Sequence, residues 1–170
     1  MKFLDAQLKA LHIKPFDGNF GVLPDDEIRQ LESEIGHQLP EDYRWFLKHY
    51  GTSLFEFAVS SPTLDGSGSW QFGFFYGSDA SNDGVLSDYI FYEGQFPKEL
   101  VPIGEDGMGN LFLLATFGSQ RGNIYYWGHD DGCETYAEEG EESTCSLEYP
   151  GMDLMATSFT AFVLSLRLDK

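Results

Sequence analysis

Acidic side chains dominate the residues of this sequence that could do chemistry, and they are densest between residues 130 and 142. The members of this run are Asp130, Asp131, Glu134, Glu138, Glu139, Glu141 and Glu142. A run of like charges is commonly just a solvated loop, but carboxylates can also attract and contact a basic protein. We predict that the run is a recognition segment, and the sequence leaves the solvated loop open as the alternative.

Five further residues could complete the same partner-binding surface. They are Trp70, Glu105, Asp106, Trp127 and His129. Tryptophan is enriched among the residues that anchor protein interfaces, although core packing is the alternative for either one. Glu105 and Asp106 lie in a glycine-rich stretch that predicts a β-turn, where their charges would repel a phosphate group.

Two patterns suggest catalytic or metal chemistry, and neither is complete. Residues 79–84 resemble the start of a calcium loop, but the position of the bidentate glutamate is taken by Ile90, which cannot bind a metal. Cys133 follows His129 by four residues, yet the surrounding acids should raise the pKa of its thiol and make it unreactive. We predict a protein without enzymatic activity, metal or cofactor.

The charge balance limits the classes of partner. The chain has 28 acidic and 10 basic residues, for a formal net charge of −18. Residues 50–166 contain eighteen of the acids and only two bases, Lys98 and Arg121, which gives that region −16. Such a protein cannot neutralise phosphates, so we expect it to bind neither nucleic acid nor an anionic membrane. A basic protein partner is compatible with this charge, as is a role of the charge in solubility alone.

Length and cysteine content point to an ordinary intracellular domain. A chain of 170 residues predicts one domain spanning residues 1–170, with enough core to fold without a staple. Cys133 and Cys145 fit neither a disulfide framework nor a zinc spacing, so we expect unpaired thiols. The sequence has no apolar run of membrane-spanning length and no secretory leader at residues 1–5, which predicts a cytoplasmic protein. It does not predict the oligomeric state.

Helical periodicity in the first fifty residues predicts the elements that must position these side chains. We expect helices at residues 3–12, 25–36 and 40–50, ended in the last two cases by Gly36 and Gly51. The third helix places Tyr43, Phe46 and Leu47 on one apolar face. This face should pack on a sheet.

From residue 53 the pattern changes to that of strands. We expect strands at residues 54–59, 70–76, 111–117 and 123–127, loops at 14–23 and 77–88, and either a strand or a short helix at 89–92. Ser158 is a suitable N-cap for a last helix. The expected fold is α+β, with an antiparallel or mixed central sheet of about six strands covered by N-terminal helices and one C-terminal helix.

Three motifs in order resemble the SUKH (Smi/Knr-like) superfamily. The first is Ile28-x-x-Leu31-Glu32-x-x-Ile35-Gly36-x-x-Leu39-Pro40-x-x-Tyr43-x-x-Phe46-Leu47. The second is Val101-Pro102-Ile103-Gly104-x-x-x-x-Gly109-Asn110-Leu111, and the third is Ile124-Tyr125-Tyr126-Trp127-Gly128-His129-Asp130. The resemblance covers about residues 20–168. One departure is Asn110, where the family often has Asp.

The resemblance implies a function as well as a fold. Bacterial SUKH proteins are mostly immunity proteins against polymorphic toxins, so it implies a non-enzymatic protein that binds a cognate toxin domain, typically a basic one of nuclease type. The alternative is an intracellular scaffold or regulator that resembles the fungal cell-wall members of the superfamily.

Overall fold

In a computed structural model, the polypeptide forms one antiparallel sheet with helices on both faces. The structure describes residues 1–18, 21–79, 84–129, 149 and 151–169. The helices are α1 (Lys2–Ala10), α2 (Asp25–Ile35), α3 (Glu41–His49), α4 (Val85–Phe91) and α5 (Phe159–Ser165), with a 3₁₀ turn at Phe16–Gly18. The strands are β1 (Ile13–Pro15), β2 (Ser53–Pro62), β3 (Ser69–Phe75), β4 (Leu100–Glu105), β5 (Leu111–Ala115), β6 (Ile124–Trp127), β7 (Met152–Ala156) and β8 (Arg167–Leu168).

The sheet follows the order of the chain from β1 to β7, and β8 pairs with β2. Each pairing is antiparallel, which confirms the α+β prediction and resolves the antiparallel-or-mixed alternative. Within the described residues the sheet has eight strands rather than about six. The strands β1 and β8 contain only three and two residues, too few to show a period-2 pattern in the sequence.

The helices α2 and α3 match their predicted positions within one residue at each end. Gly36 and Gly51 end them with φ of +78° and +57°, the left-handed conformation that favours glycine. A side chain at Gly51 would also collide with the carbonyl oxygen of Gly21, because an added Cβ would lie 1.9 Å from it. Two independent features therefore favour glycine at position 51, namely the positive φ and the lack of space for a Cβ atom.

Phe46 confirms the expected packing of α3 on the sheet. Its side chain is 0% exposed, and its ring centroid lies 4.6 Å from that of Phe75 on β3 and 5.0 Å from that of Phe159 on α5. Asp42 joins the same two helices, since its carboxylate accepts hydrogen bonds from the backbone N–H and the hydroxyl of Thr160 at 2.8 and 2.9 Å. Ser158 is the N-cap of α5, as expected.

The opposite face of the sheet is covered by α4 and the segment after it. The ring of Trp127 packs edge-on against those of Tyr92 and Phe96. Residues 89–91 belong to the helix α4, which decides between the strand and the helix predicted there. The prediction of a loop at 77–88 was wrong for residues 85–88, because α4 begins at Val85. Val85 is completely buried, so tertiary packing rather than local periodicity places this short helix.

The hairpin of β2 and β3 curls across the sheet. The strand β3 pairs with β4 through Phe74 and Phe75, and the hairpin tip then reaches β7, where the N–H of Leu64 donates to the carbonyl of Leu154 at 2.8 Å. This curvature brings together side chains from strands that are not neighbours in the sheet.

Candidate functional site

Antiparallel registers place several turns at one end of the sheet. The β2–β3 tip, the β4–β5 turn, the end of β6 and the start of β7 meet there. We call this the acidic end and define it by Leu64, Asp65, Trp70, Glu105, Asp106, Met108 and Asp153. Residues 50–166 contain two basic residues, Lys98 and Arg121. Lys98 lies just before β4 and Arg121 lies in the β5–β6 turn, so both are at the opposite end of these strands.

Trp70 joins three strands at the acidic end. Its ring stacks on Tyr126 of β6 with a centroid distance of 4.3 Å and an interplanar angle of 14°. Its indole N–H donates to a carboxylate oxygen of Asp153 on β7 at 2.8 Å. The residue is nevertheless 37% exposed, so one part of the indole holds the curled hairpin while another faces solvent.

Asp106 shapes the β4–β5 turn. Its carboxylate accepts from the backbone N–H of Met108 at 2.7 Å and of Asn110 at 3.2 Å, from the Asn110 side-chain amide at 2.7 Å, and from the Tyr126 hydroxyl at 3.0 Å. Partial burial opposes ionisation, but these donors hold the pKa of Asp106 below its ordinary value of 3.8. The turn presents Met108 with 79% of its surface exposed.

Asn110 explains how the chain tolerates its departure from the usual Asp of the superfamily. The amide nitrogen donates to Asp106, while the amide oxygen accepts from the backbone N–H of His129 at 3.1 Å and lies 2.8 Å from its Nδ1. A carboxylate here could not donate and would repel Asp106. Asn110 therefore ties the β4–β5 turn to the residue that follows β6.

The acidic end holds its carboxylates with neutral donors. Asp65 accepts from the backbone and hydroxyl of Ser67, and these bonds lower the pKa of Asp65 to about 2. The Glu105 carboxylate accepts from the Tyr76 hydroxyl at 2.9 Å. By contrast, the ion pairs that described residues form with one another all join residues 5–56. The acidic end thus has oriented carboxylates whose charge these donors do not cancel.

The structure brings together three of the residues predicted for the partner surface, namely Trp70, Asp106 and His129. Glu105 immediately precedes Asp106 in the sequence, but its carboxylate accepts a hydrogen bond from Tyr76. Trp127 is only 6% exposed and packs on the opposite face of the sheet, which is the core role that the sequence left as its alternative.

The predicted acidic run lies outside the described residues. This holds for Asp130, Asp131, Glu134, Glu138, Glu139, Glu141 and Glu142, whose part in recognition stays a prediction. The run starts just after His129 and is followed by β7, whose first residue, Met152, pairs with Trp127. Both cysteines and residues 80–83 of the calcium-like stretch are likewise outside the described residues.

Sequence reasoning did not select Leu64, Met108 and Asp153. The exposure of Met108 could have been predicted from the sequence. This residue lies between Gly107 and Gly109 in a predicted turn, and a side chain at the tip of a turn faces solvent. No such signal marked Asp153, because its contact with Trp70 spans 83 residues of sequence.

Two further classes of site were searched in the described part of the chain. It contains no group of three or more His, Cys, Asp or Glu side chains placed to bind a metal ion. None of the helices in these residues combines the length and the apolar character needed to cross a membrane.

Comparison with known proteins identifies a family and a relative. A family model described as "SMI1 / KNR4 family (SUKH-1)" matches residues 23–165. The chain is also similar to the "SPbeta prophage-derived uncharacterized protein YokK" of Bacillus subtilis (strain 168). The two are 28% identical over 176 residues, which cover 91% of this chain and 82% of that protein.

Proposed function

Because the chain belongs to the SMI1/KNR4 (SUKH-1) family, we propose that it is an immunity protein that works by binding, without enzymatic activity. Its partner is a cognate toxin domain, basic and of nuclease type, in the cytosol of the cell that makes the immunity protein. Binding covers the toxin's active site or its substrate groove.

The observation that carries this proposal is the composition of the acidic end. Its carboxylates are oriented by neutral donors, and the same surface exposes the apolar side chains of Leu64, Trp70 and Met108. Strong protein interfaces combine a few apolar or aromatic anchors with a polar rim. The acidic end has both parts on one surface.

The charge also suits a toxin that acts on nucleic acid. A domain that binds nucleic acid neutralises phosphates with Lys and Arg side chains. A set of fixed carboxylates can occupy the same cationic groove and so compete with the substrate. Complementary fields also accelerate the encounter, which benefits a cell exposed to a toxin that it makes itself.

Co-expression with a candidate basic toxin domain from the same genome tests the proposal. We expect restored growth, a stable complex, and an affinity about tenfold weaker for Met108→Ser because an interface anchor is lost. Phe3→Ser is the matched control, since Phe3 is an equally exposed apolar residue on α1. Absence of protection, as for a scaffold of the fungal type, contradicts the proposal; equal weakening by both variants removes the acidic end from the interface.

Association kinetics test the part assigned to the acidic run. The variant reverses six charges to Lys, at Asp130, Asp131, Glu138, Glu139, Glu141 and Glu142. We expect a lower association rate constant with a flatter salt dependence, because screening acts over about 8 Å at physiological ionic strength. An unchanged rate constant and unchanged protection would exclude the run from recognition.

A further inference from the structure

A second concave surface lies on the face of the sheet that α4 covers, whereas Trp70 of the acidic end stacks on Tyr126 on the other face. It is a cleft of about 510 Å³. The end of α2 forms one side, and α4 together with residues 92–98 forms the other. The residues that matter for its chemistry are Glu34, Tyr89, Ile90, Glu93, Phe96 and Lys98. The apolar anchors of the acidic end, Leu64, Trp70 and Met108, do not line this cleft, so the cleft is a different apolar surface.

The apolar part of the cleft continues onto an exposed patch. Ile90 is 54% exposed and lines the cleft, and its neighbour Phe91 is 72% exposed. These two consecutive large apolar side chains on a seven-residue helix stay in contact with water, so the free protein gains little hydrophobic stabilisation from them. Contiguous exposed apolar surface of this kind is typical of an interaction site.

The polar part of the cleft is negative. The side chains of Glu34, Glu93 and Lys98 form no ion pair or hydrogen bond with other described residues, which leaves two carboxylates against one ammonium group. Burial, and then the fields of Glu93, Glu99 and Glu34, raise the pKa of Tyr89. The carboxylates therefore act on the interior of the cleft and favour a cation there.

We infer that this cleft binds a basic, amphipathic peptide segment of a partner protein. An arginine or lysine of the segment lies between Glu34 and Glu93 and over the ring of Tyr89, where a carboxylate pair and a cation–π contact both act on it. An aliphatic side chain of the segment covers Ile90 and Phe91. This surface and ligand class go beyond the proposed function, which uses the acidic end.

Charge argues against a second copy of the chain as the occupant. Each copy has a net charge of −18, and a symmetric contact through this cleft would bring Glu34 and Glu93 of both copies together. A basic segment is instead attracted by the negative field of the protein as it approaches and when it is bound.

The test measures binding of a dye-labelled helical peptide of arginine and leucine to the full chain by fluorescence anisotropy. We expect the dissociation constant to rise about tenfold for Ile90→Ser combined with Phe91→Ser. Glu34→Gln combined with Glu93→Gln should raise it several-fold. The charge-matched control, Asp26→Asn combined with Glu41→Gln, removes two exposed acids elsewhere and should change it less than about twofold.

A second peptide, with serine in place of leucine, separates specific binding from attraction to an acidic protein. The serine peptide should bind the wild type more weakly than the leucine peptide does. Its affinity for the Ile90/Phe91 variant should equal its affinity for the wild type. Equal loss of affinity in the charge-matched control, or amide chemical-shift changes confined to the acidic end, overturns the inference. Self-association that the Ile90/Phe91 variant abolishes also overturns it, since the occupant is then a second copy.

Discussion

Several carboxylates of the helical region, residues 1–56, are held by ion pairs, whereas the carboxylates of the acidic end are held by neutral donors. At the acidic end Asp106 and Asp153 accept hydrogen bonds from turn amides, a tyrosine hydroxyl and an indole. In the helical region Glu32 pairs with Arg44, and Asp25 pairs with Lys48. Both arrangements orient the carboxylate, but only the second cancels its charge.

The difference separates structural acids from acids available to a partner. A hydrogen bond from a neutral donor stabilises the ionised carboxylate without adding a positive charge, so the field of the group still extends into solvent. An ion pair has a much weaker field at a distance. The carboxylates that neutral donors hold at the acidic end are therefore the ones that can attract a basic partner.

Phe46→Ala tests whether the two regions are one cooperative unit. Phe46 is fully buried between Phe75 and Phe159, so truncation should leave a cavity that costs about 3–5 kcal/mol of unfolding free energy. Denaturant unfolding followed by far-UV and aromatic signals should show one coincident transition. Two separated transitions, or a loss below about 1 kcal/mol, would break the comparison because each region would then fold by itself.

Trp70→Ala should have the next largest effect and should act on the acidic end. It removes the stack on Tyr126 and the donor to Asp153, and we expect a loss of about 2 kcal/mol because the indole is partly exposed. Hydrogen exchange should accelerate at β7 and leave α2 and α3 unchanged. Acceleration spread over both regions would show that Trp70 supports the whole core rather than the curled hairpin.

Glu32→Gln tests the ion pairs of the helical region. The Glu32 side chain is mostly buried, pairs with Arg44 and accepts from the backbone N–H of Leu39 at 2.9 Å. We expect a loss of about 1–2 kcal/mol, since glutamine can keep the Leu39 bond but leaves the partly exposed guanidinium without its counter-charge. The loss should shrink as salt is added, and a salt-independent loss would mean that the hydrogen bonds dominate.

Asp106→Asn should have the smallest effect, about 1 kcal/mol at pH 7, because the amide can still accept some of the four hydrogen bonds. The folded-state pKa of Asp106 lies below 3.8, so the stability that it contributes is present above this pH and disappears as the pH falls through the folded-state value. The melting temperatures of wild type and variant should therefore converge as the pH falls from 3.8 through the folded-state pKa, while a difference that persists below that pKa contradicts the assigned role.

Local patterns in the sequence determined the helices α2 and α3, whereas β1 overlaps the loop that the sequence predicted at residues 14–23. The spacing of Tyr43, Phe46 and Leu47, together with Gly36 and Gly51 at the helix ends, predicted α2 and α3 within one residue. The first motif also contains Glu32, which binds the backbone N–H of Leu39 only seven residues later. These features could be predicted because helix periodicity, termination and short-range bonds involve residues that are neighbours along the chain.

Tertiary structure alone decided which predicted side chains share a surface. Trp70 and Trp127 are equally plausible anchors in the sequence, yet one is held across three strands at the acidic end and the other is buried beneath Tyr92 and Phe96. Asp153 was not selected because Trp70, its donor, is 83 residues away in the chain. Burial and long-range hydrogen bonds depend on strand register and sheet curvature, and these arise from the packing of the whole chain rather than from any local pattern.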